Sequence, residues 1–304
     1  MLRINEGTGM TNQTVAFIGI GAMGGPMARR LQAAGYELTV CDRNVAAVAA
    51  FAGSGARAAR CPAECAGADV IVVLVSSGQQ VRDVILGEDG LLSGFTGRNR
   101  AIVVVMSTVS AEVLEKIAKV LPATVRLVDA PISGGTRGAE QGTLTILTAG
   151  DHEDVEALKP VFDHLGAQRI YCGRLGSAQT IKIINNVFGC TITAIAGETY
   201  RLAIERGLEP ALVSQVLEAC SGRNVRSRDP AGPQAGFVDL AKDRMTCMNT
   251  EGIMRKDLGL AVEMASRTKG AYPTLTALKA LMDSLGDETF ENWRLVANLP
   301  PATD

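Results

Sequence analysis

The stretch "TVAFIGIGAMGGPMARRL", residues 14 to 31, constrains this chain more than any other. It holds Gly19-x-Gly21-x-x-Gly24 directly after an apolar, β-rich run and directly before a helical pattern. In that context the three glycines have separate physical jobs. Gly19 allows a tight turn, Gly21 lets backbone approach a pyrophosphate, and Gly24 lets strand and helix pack closely. The helix that follows turns its free N–H groups and positive dipole end toward the phosphates. An acidic residue, Asp42, comes 18 residues after Gly24 at the end of the next predicted strand, "YELTVCDR". A carboxylate there would accept bonds from an adenosine ribose and would repel a 2′-phosphate, which favours NAD. Arg43 beside it could stack on adenine or pair with that phosphate, so NADP stays open. The expected dinucleotide contacts are Gly19, Gly21, Ala22, Met23, Gly24, Asp42 and Arg43. The bland alternative is a glycine-rich turn of some other α/β protein.

The rest of the first half extends this pattern. "ADVIVVLVSS", "AIVVVMST" and "VRLVDAPIS" are apolar throughout, with helical connections such as "AEVLEKIAKVL" between them. Strands of that kind, each followed by a helix, predict a parallel sheet covered on both faces. "GTLTILTAG" and "QRIYCG" add two more strands around the helix "DVEALKPVFDHLG". After about residue 175 the character changes. From Gly176 to Gly207 there is no proline and no strong turn signal, and length favours a single helix over 40 Å long at ~1.5 Å per residue. "PALVSQVLEACSG", "EGIMRKDLGLAVEMASRTKG" and "TLTALKALMDSLGD" read as further helices. The expected architecture is an α/β Rossmann-like N-terminal domain plus an all-α C-terminal domain joined by a long helix. Residues 1–12 read as a disordered extension, 13–175 as the dinucleotide-binding domain, and 176–304 as a helical domain for substrate binding and dimerisation.

Composition excludes several other classes. A net charge of −2, with no Lys/Arg run longer than two, argues against nucleic acid or an anionic membrane surface as partner. No uninterrupted apolar run reaches the roughly 18 residues of a membrane span. Seven cysteines, an odd number scattered along the chain, suit a reducing cytoplasm better than a disulfide framework. Cys61 and Cys65 are the one close pair, with no nearby histidine, so no metal site is expected.

Inside the long helix, "TIKIINNVFG" sets Lys182, Asn185 and Asn186 into otherwise apolar surroundings. A buried lysine is costly unless its charge is used or compensated. Four segments in order, "FIGIGAMGGPMARRL", "DAPISGGTRGAEQGTLTILTAG", "GSAQTIKIINN" and "RKDLGLA", together resemble the β-hydroxyacid dehydrogenase family, over roughly residues 14 to 290. The resemblance implies hydride transfer between NAD(P) and a small 3-hydroxy acid or its semialdehyde. It implies Lys182 as catalytic lysine and Asn186, one turn on, as the residue orienting substrate. It implies Ser133, Gly134 and Gly135 as the carboxylate site, with Asn185 either touching substrate or capping local backbone. Ser107 and Thr108 then lie near the nicotinamide, and Lys256 reaches toward the cofactor. A homo-oligomer, dimer or tetramer, is expected.

The residues can carry that chemistry. The chain has only His152 and His164, both in or beside a polar helix, so Lys182 is the candidate base. A free lysine, with a pKa of about 10.4, is a poor base at neutral pH, and partial burial beside a positive nicotinamide ring would lower it. There are two departures: Val105 stands where relatives often carry aspartate, and residues 221 to 250, a region that helps close the active site, follow the family only loosely, which leaves the substrate open. 6-Phosphogluconate dehydrogenase fits less well, since Asn185 stands where that enzyme has histidine and the helical domain is shorter. A non-catalytic dinucleotide-binding sensor or scaffold of the same fold is the competing class. The arginines of "GRNVRSR", Arg223, Arg226 and Arg228, could recognise a second anionic group or simply form a solvated loop.

Overall fold

The computed structural model describes residues 13–96, 100–228 and 234–301; the predicted N-terminal extension, 1–12, lies outside them. Contacts divide the chain into two units, Met1–Lys182 and Ile183–Asp304.

In the first unit, strands β1 (Thr14–Ile18), β2 (Glu37–Cys41), β3 (Arg57–Ala58), β4 (Val70–Val73), β5 (Ala101–Val105) and β6 (Val125–Asp129) form one sheet. Its order is β3-β2-β1-β4-β5-β6, and every pair is parallel. Alternation along the strands explains why they are apolar throughout. Val15, Phe17, Val70, Val72, Ile102 and Val104 face one core with Met27, Ala28 and Leu31 of the first helix (Gly24–Ala33). Ala16, Ile18, Ile71, Val73, Val103 and Val105 face the other, against Val81, Ile85, Val113, Leu114 and Ile117. A strand buried on both faces has no position left for a polar side chain. β3, only two exposed residues at the sheet edge, is too short to carry a sequence signal.

The run "VRLVDAPIS" is divided between two sheets, contrary to its reading as one strand. β6 ends at Asp129, and β7 (Ile132–Ser133) begins a separate sheet with β8 (Leu144–Thr148) and β9 (Gly166–Tyr171). Pro131, between them, has no N–H to extend a ladder. β7 pairs antiparallel with β8, and β8 parallel with β9. Asp129 and Ala149 join the two sheets through a single antiparallel bridge.

The long helix runs Ser177–Glu205, as its uninterrupted pattern predicts. The second unit continues with helices Pro210–Ala219, Gln234–Ala241, Arg244–Ser266, Pro273–Ser284 and Asp287–Val296. Its core gathers Tyr200, Phe237, Met254, Leu258, Met282, Phe290 and Trp293. Gly197 is where the long helix takes the indole: a Cβ there would stand 2.6 Å from Trp293 Cδ1. Asp243 caps the helix Arg244–Ser266, accepting the Thr246 N–H at 2.7 Å. By length and composition the long helix could cross a bilayer, with mean hydropathy 1.2 over its best window. A search for unbroken apolar runs misses this because threonine, asparagine and glycine interrupt the segment.

Candidate active site

The glycine turn has the geometry its spacing demands. Gly19 has φ +94°, and a Cβ on it would overlap the Leu74 carbonyl. A Cβ on Gly24 would overlap the Gly19 carbonyl oxygen and stand 2.9 Å from Phe17 Cε1. Around Gly21 there is open space. The first and third glycines are therefore needed by the protein itself, while the second leaves room for a ligand. Replacing Gly24 with alanine is expected to lower stability by about 1–3 kcal/mol through overpacking. Urea midpoints of the two proteins check it; equal midpoints would mean that strand and helix separate at little cost.

Asp42 fixes this turn from the next strand. Its Oδ2 accepts the Ile20 N–H at 2.7 Å and its Oδ1 the Asn44 N–H at 2.8 Å. Each carboxylate oxygen has a further lone pair, so ribose hydroxyls can still be accepted. Ala22 is exposed, Met23 is half-buried, and Arg43 is exposed. Open ground at Gly21, a helix start behind it and a half-buried carboxylate beside it fit an adenine dinucleotide.

Ser107 ties two loops of the sheet together. It is buried, and its Oγ accepts the Val75 N–H at 2.8 Å, joining the loop after β4 to the end of β5. Thr108 beside it is half-buried. Below them lies Gln179, fully buried and not singled out by sequence. Its Nε2 donates to Ser107 O at 3.0 Å, and its Oε1 accepts the Val109 N–H at 3.0 Å. Asp129 is also fully buried and was also missed. It accepts the Gly176 N–H at 3.0 Å and the Gln179 N–H at 3.1 Å, capping the long helix. Burial pushes its carboxyl up to about 6, against the opposing pull of these N–H bonds. Lys182, one turn beyond Gln179, is 6% exposed. Ser133 is half-buried; Gly134 and Gly135 are exposed, with φ +134° and +63°, just before and at the start of a short helix.

The second unit holds the other candidates. Asn186 Nδ2 donates to Asp257 Oδ2 at 2.6 Å, and Asn186 Oδ1 accepts from Asn185 Nδ2 at 3.1 Å. A carboxylate only accepts, so this pairing fixes which way the Asn186 amide points. Lys256 Nζ stands 2.7 Å from Asp257 Oδ1 as an ion pair without hydrogen-bond alignment. Asp257, buried and adjacent to Lys256 in "RKDLGLA", is thus the organising group that sequence reading passed over. Both histidines pack against tyrosines, His152 edge-on against Tyr171 and His164 against Tyr36. Among the described residues no group of three or more His, Cys, Asp or Glu side chains could hold a metal. A hollow of about 700 Å³ beside Arg29, Arg30 and His164 flanks the body of the first helix and leaves the glycine turn aside.

A parallel sheet carrying this glycine turn, followed by a long helix with a buried lysine, defines an NAD(P)-dependent oxidoreductase. Residues 14–173 match the family described as the NAD binding domain of 6-phosphogluconate dehydrogenase. Residues 176–296 match that described as NAD-binding of NADP-dependent 3-hydroxyisobutyrate dehydrogenase. The 3-hydroxyisobutyrate dehydrogenase of Pseudomonas aeruginosa is 34% identical over 270 residues, covering 85% of this chain and 87% of the relative. The NAD-dependent L-serine dehydrogenase of the same organism is 34% identical over 264 residues, with the same coverage. The structure of Mycobacterium tuberculosis 3-hydroxyisobutyrate dehydrogenase with L-serine superposes with a TM-score of 0.75 at 26% identity, covering 89% of this chain and 92% of that one. The chain belongs to the β-hydroxyacid dehydrogenase family.

Proposed function

We propose that this enzyme interconverts a small 3-hydroxy acid and its semialdehyde or keto acid, with Lys182 as the one general acid and base. The observation that carries this reading is the burial of Lys182, 6% exposed in an apolar helix directly beyond the Gln179 clamp. The substrates in the names of the two P. aeruginosa relatives, 3-hydroxyisobutyrate and L-serine, share the skeleton HOCH2–CH(X)–COO⁻. A bound nicotinamide supplies the hydride acceptor in oxidation and the donor in reduction. Lys182 takes the hydroxyl proton in the first direction and returns it to the carbonyl oxygen in the second. Asn186, oriented by Asp257, offers its remaining N–H to the same oxygen. The Ser133 hydroxyl and the exposed backbone N–H groups of Gly134 and Gly135 receive the carboxylate. Absorbance at 340 nm with NAD or NADP, against a panel including 3-hydroxyisobutyrate, L-serine and glycerate, tests the reading. Tight dinucleotide binding with no turnover across the panel would favour a sensor of the same fold instead.

We also propose self-association. Ile181, Ile184, Phe188, Ile195 and Leu202 form one stripe along the long helix at spacings of 3, 4, 7 and 7 residues, each at least 44% exposed and Phe188 66%. A stripe of this kind asks for protein cover. Light scattering after gel filtration is expected to give a multiple of the 31.9 kDa chain mass. Replacing Phe188 and Ile195 with glutamate should reduce it to a single chain; an unchanged mass would place the contact elsewhere.

A further inference from the structure

Gln179 is fully buried, and both ends of its amide go to the two residues that flank Thr108. Nε2 donates to Ser107 O and Oε1 accepts the Val109 N–H, each at 3.0 Å. The pair of bonds fixes the loop backbone on either side of Thr108 and sets which way the amide points. The Gln179 backbone N–H is held as well, by Asp129 at the end of β6 at 3.1 Å. One turn earlier the helix start is pressed against the chain that follows β5, since a Cβ on Gly176 would stand 2.8 Å from Ala111 Cβ.

The lacing continues toward the glycine turn. The Leu74 N–H donates to Ile18 O at 2.9 Å, and the Val75 N–H to Ser107 Oγ at 2.8 Å. The carboxyl ends of β1, β4, β5 and β6 are thereby joined to the helix turn that carries Lys182, three residues beyond Gln179. Strand order reverses between β1 and β4, and the crevice outside those carboxyl ends is where open α/β sheets take their ligands. Oxidation of an alcohol removes a hydride from carbon and a proton from the adjoining oxygen. The base must therefore be registered against the crevice, because a displacement of about 1 Å can cost 10²-fold in rate. An apolar side chain of the same size would fill the space at 179 but would not tie the loop to the helix.

We infer that Gln179 is a positioning residue, which sets Lys182 in register with loop 107–109 and so couples the site of proton transfer to the cofactor side of the crevice. This rests on the reading of Lys182 as general acid and base for a 3-hydroxy acid.

The test follows oxidation of the acid that the wild-type enzyme uses best, from about pH 6 to 9, in wild type and two variants. Gln179→Met removes both side-chain bonds. It should lower kcat about 10–100-fold while the dinucleotide dissociation constant stays within about threefold. Gln179→Glu keeps the shape, and burial places its carboxyl above the ordinary carboxylate range. Protonated, that carboxyl donates its O–H to Ser107 O and accepts the Val109 N–H, as the amide does; ionised, it only accepts. Its kcat relative to wild type should lie within about threefold at the low end and fall toward that of the methionine variant as pH rises. A carboxylate acting only by raising the lysine pKa would give the opposite trend, because higher pH would restore the free base. A methionine variant with wild-type kcat would overturn the inference and leave the 3-hydroxy acid reading standing. A glutamate variant whose relative kcat does not fall with pH would reduce Gln179 to packing, and this variant decides if the first fails to fold. Absence of wild-type turnover with every acid would remove the reading and the inference together.

Discussion

Replacing Lys182 with alanine is expected to lower kcat by about 10²–10⁴-fold, the range of general acid–base catalysis, while the dinucleotide dissociation constant stays within about twofold. The two readouts separate because the residues proposed to hold the dinucleotide, Gly19, Gly21, Gly24 and Asp42, belong to the glycine turn and the end of the next strand, away from the long helix. Lys182→Arg sharpens the test. An arginine restores a positive charge but cannot release its proton near neutral pH. If Lys182 served only to attract an anionic substrate, arginine would rescue much of the activity; if it moves a proton, arginine fails nearly as badly as alanine. Removal of a buried lysine side chain also leaves a cavity, so both variants should be checked by thermal melting. Kinetics of the two variants beside dinucleotide titrations therefore decide the role. Full activity in Lys182→Ala would sink the proposed mechanism.

How far the sequence carried the argument depended on whether a residue's role was local. The glycine turn was legible because Gly19 and Gly24 answer to neighbours within a few residues or across one strand pair. The long helix was legible because nothing in residues 177–205 could end it. Asp129 and Gln179 were not. Each lies inside a motif, yet their partners are 47 to 72 residues away in sequence, and no spacing rule connects a carboxylate ending β6 to a helix start. Asp257 was hidden differently. In "RKD" it looks like an exposed charge, and only the packing of the helix Arg244–Ser266 buries it to 1% exposure. The helix Gln234–Ala241 was missed because its neighbourhood, rich in arginine, proline and glycine, reads as loop. The separate sheet β7-β8-β9 shows the same limit: Pro131 marks a break in pairing, but its sequence does not say which strand pairs next.

Asp129 gives the second large effect, and it depends on pH. The carboxyl is fully buried, with two backbone N–H groups on it, and burial pushes it up to about 6 from 3.8. A raised acid pKa means that the folded protein binds this proton more tightly than the unfolded chain. Its contribution is therefore full below pH 4 and falls as pH rises toward and through 6. A shift of about 2 units corresponds to roughly 3 kcal/mol at 1.36 kcal/mol per unit. Asp129→Asn isolates that contribution, because asparagine does not titrate and the remaining groups cancel between the two proteins. Asparagine also cannot cap the helix as well: its oxygen can accept one N–H, but its NH2 then faces the other. The neutral acid can turn its hydroxyl hydrogen aside and accept both. An unpaired buried N–H costs about 1–3 kcal/mol, so the variant should be less stable at pH 4 to 5. Its deficit should shrink by roughly 3 kcal/mol as pH rises to 8, where the wild-type carboxylate is ionised in a site poor in water. Urea unfolding of both proteins at intervals from pH 4 to 8 measures this directly. A gap that stays constant across the range would show that Asp129 ionises in the fold as readily as in the unfolded chain, and would leave the cap as its only contribution.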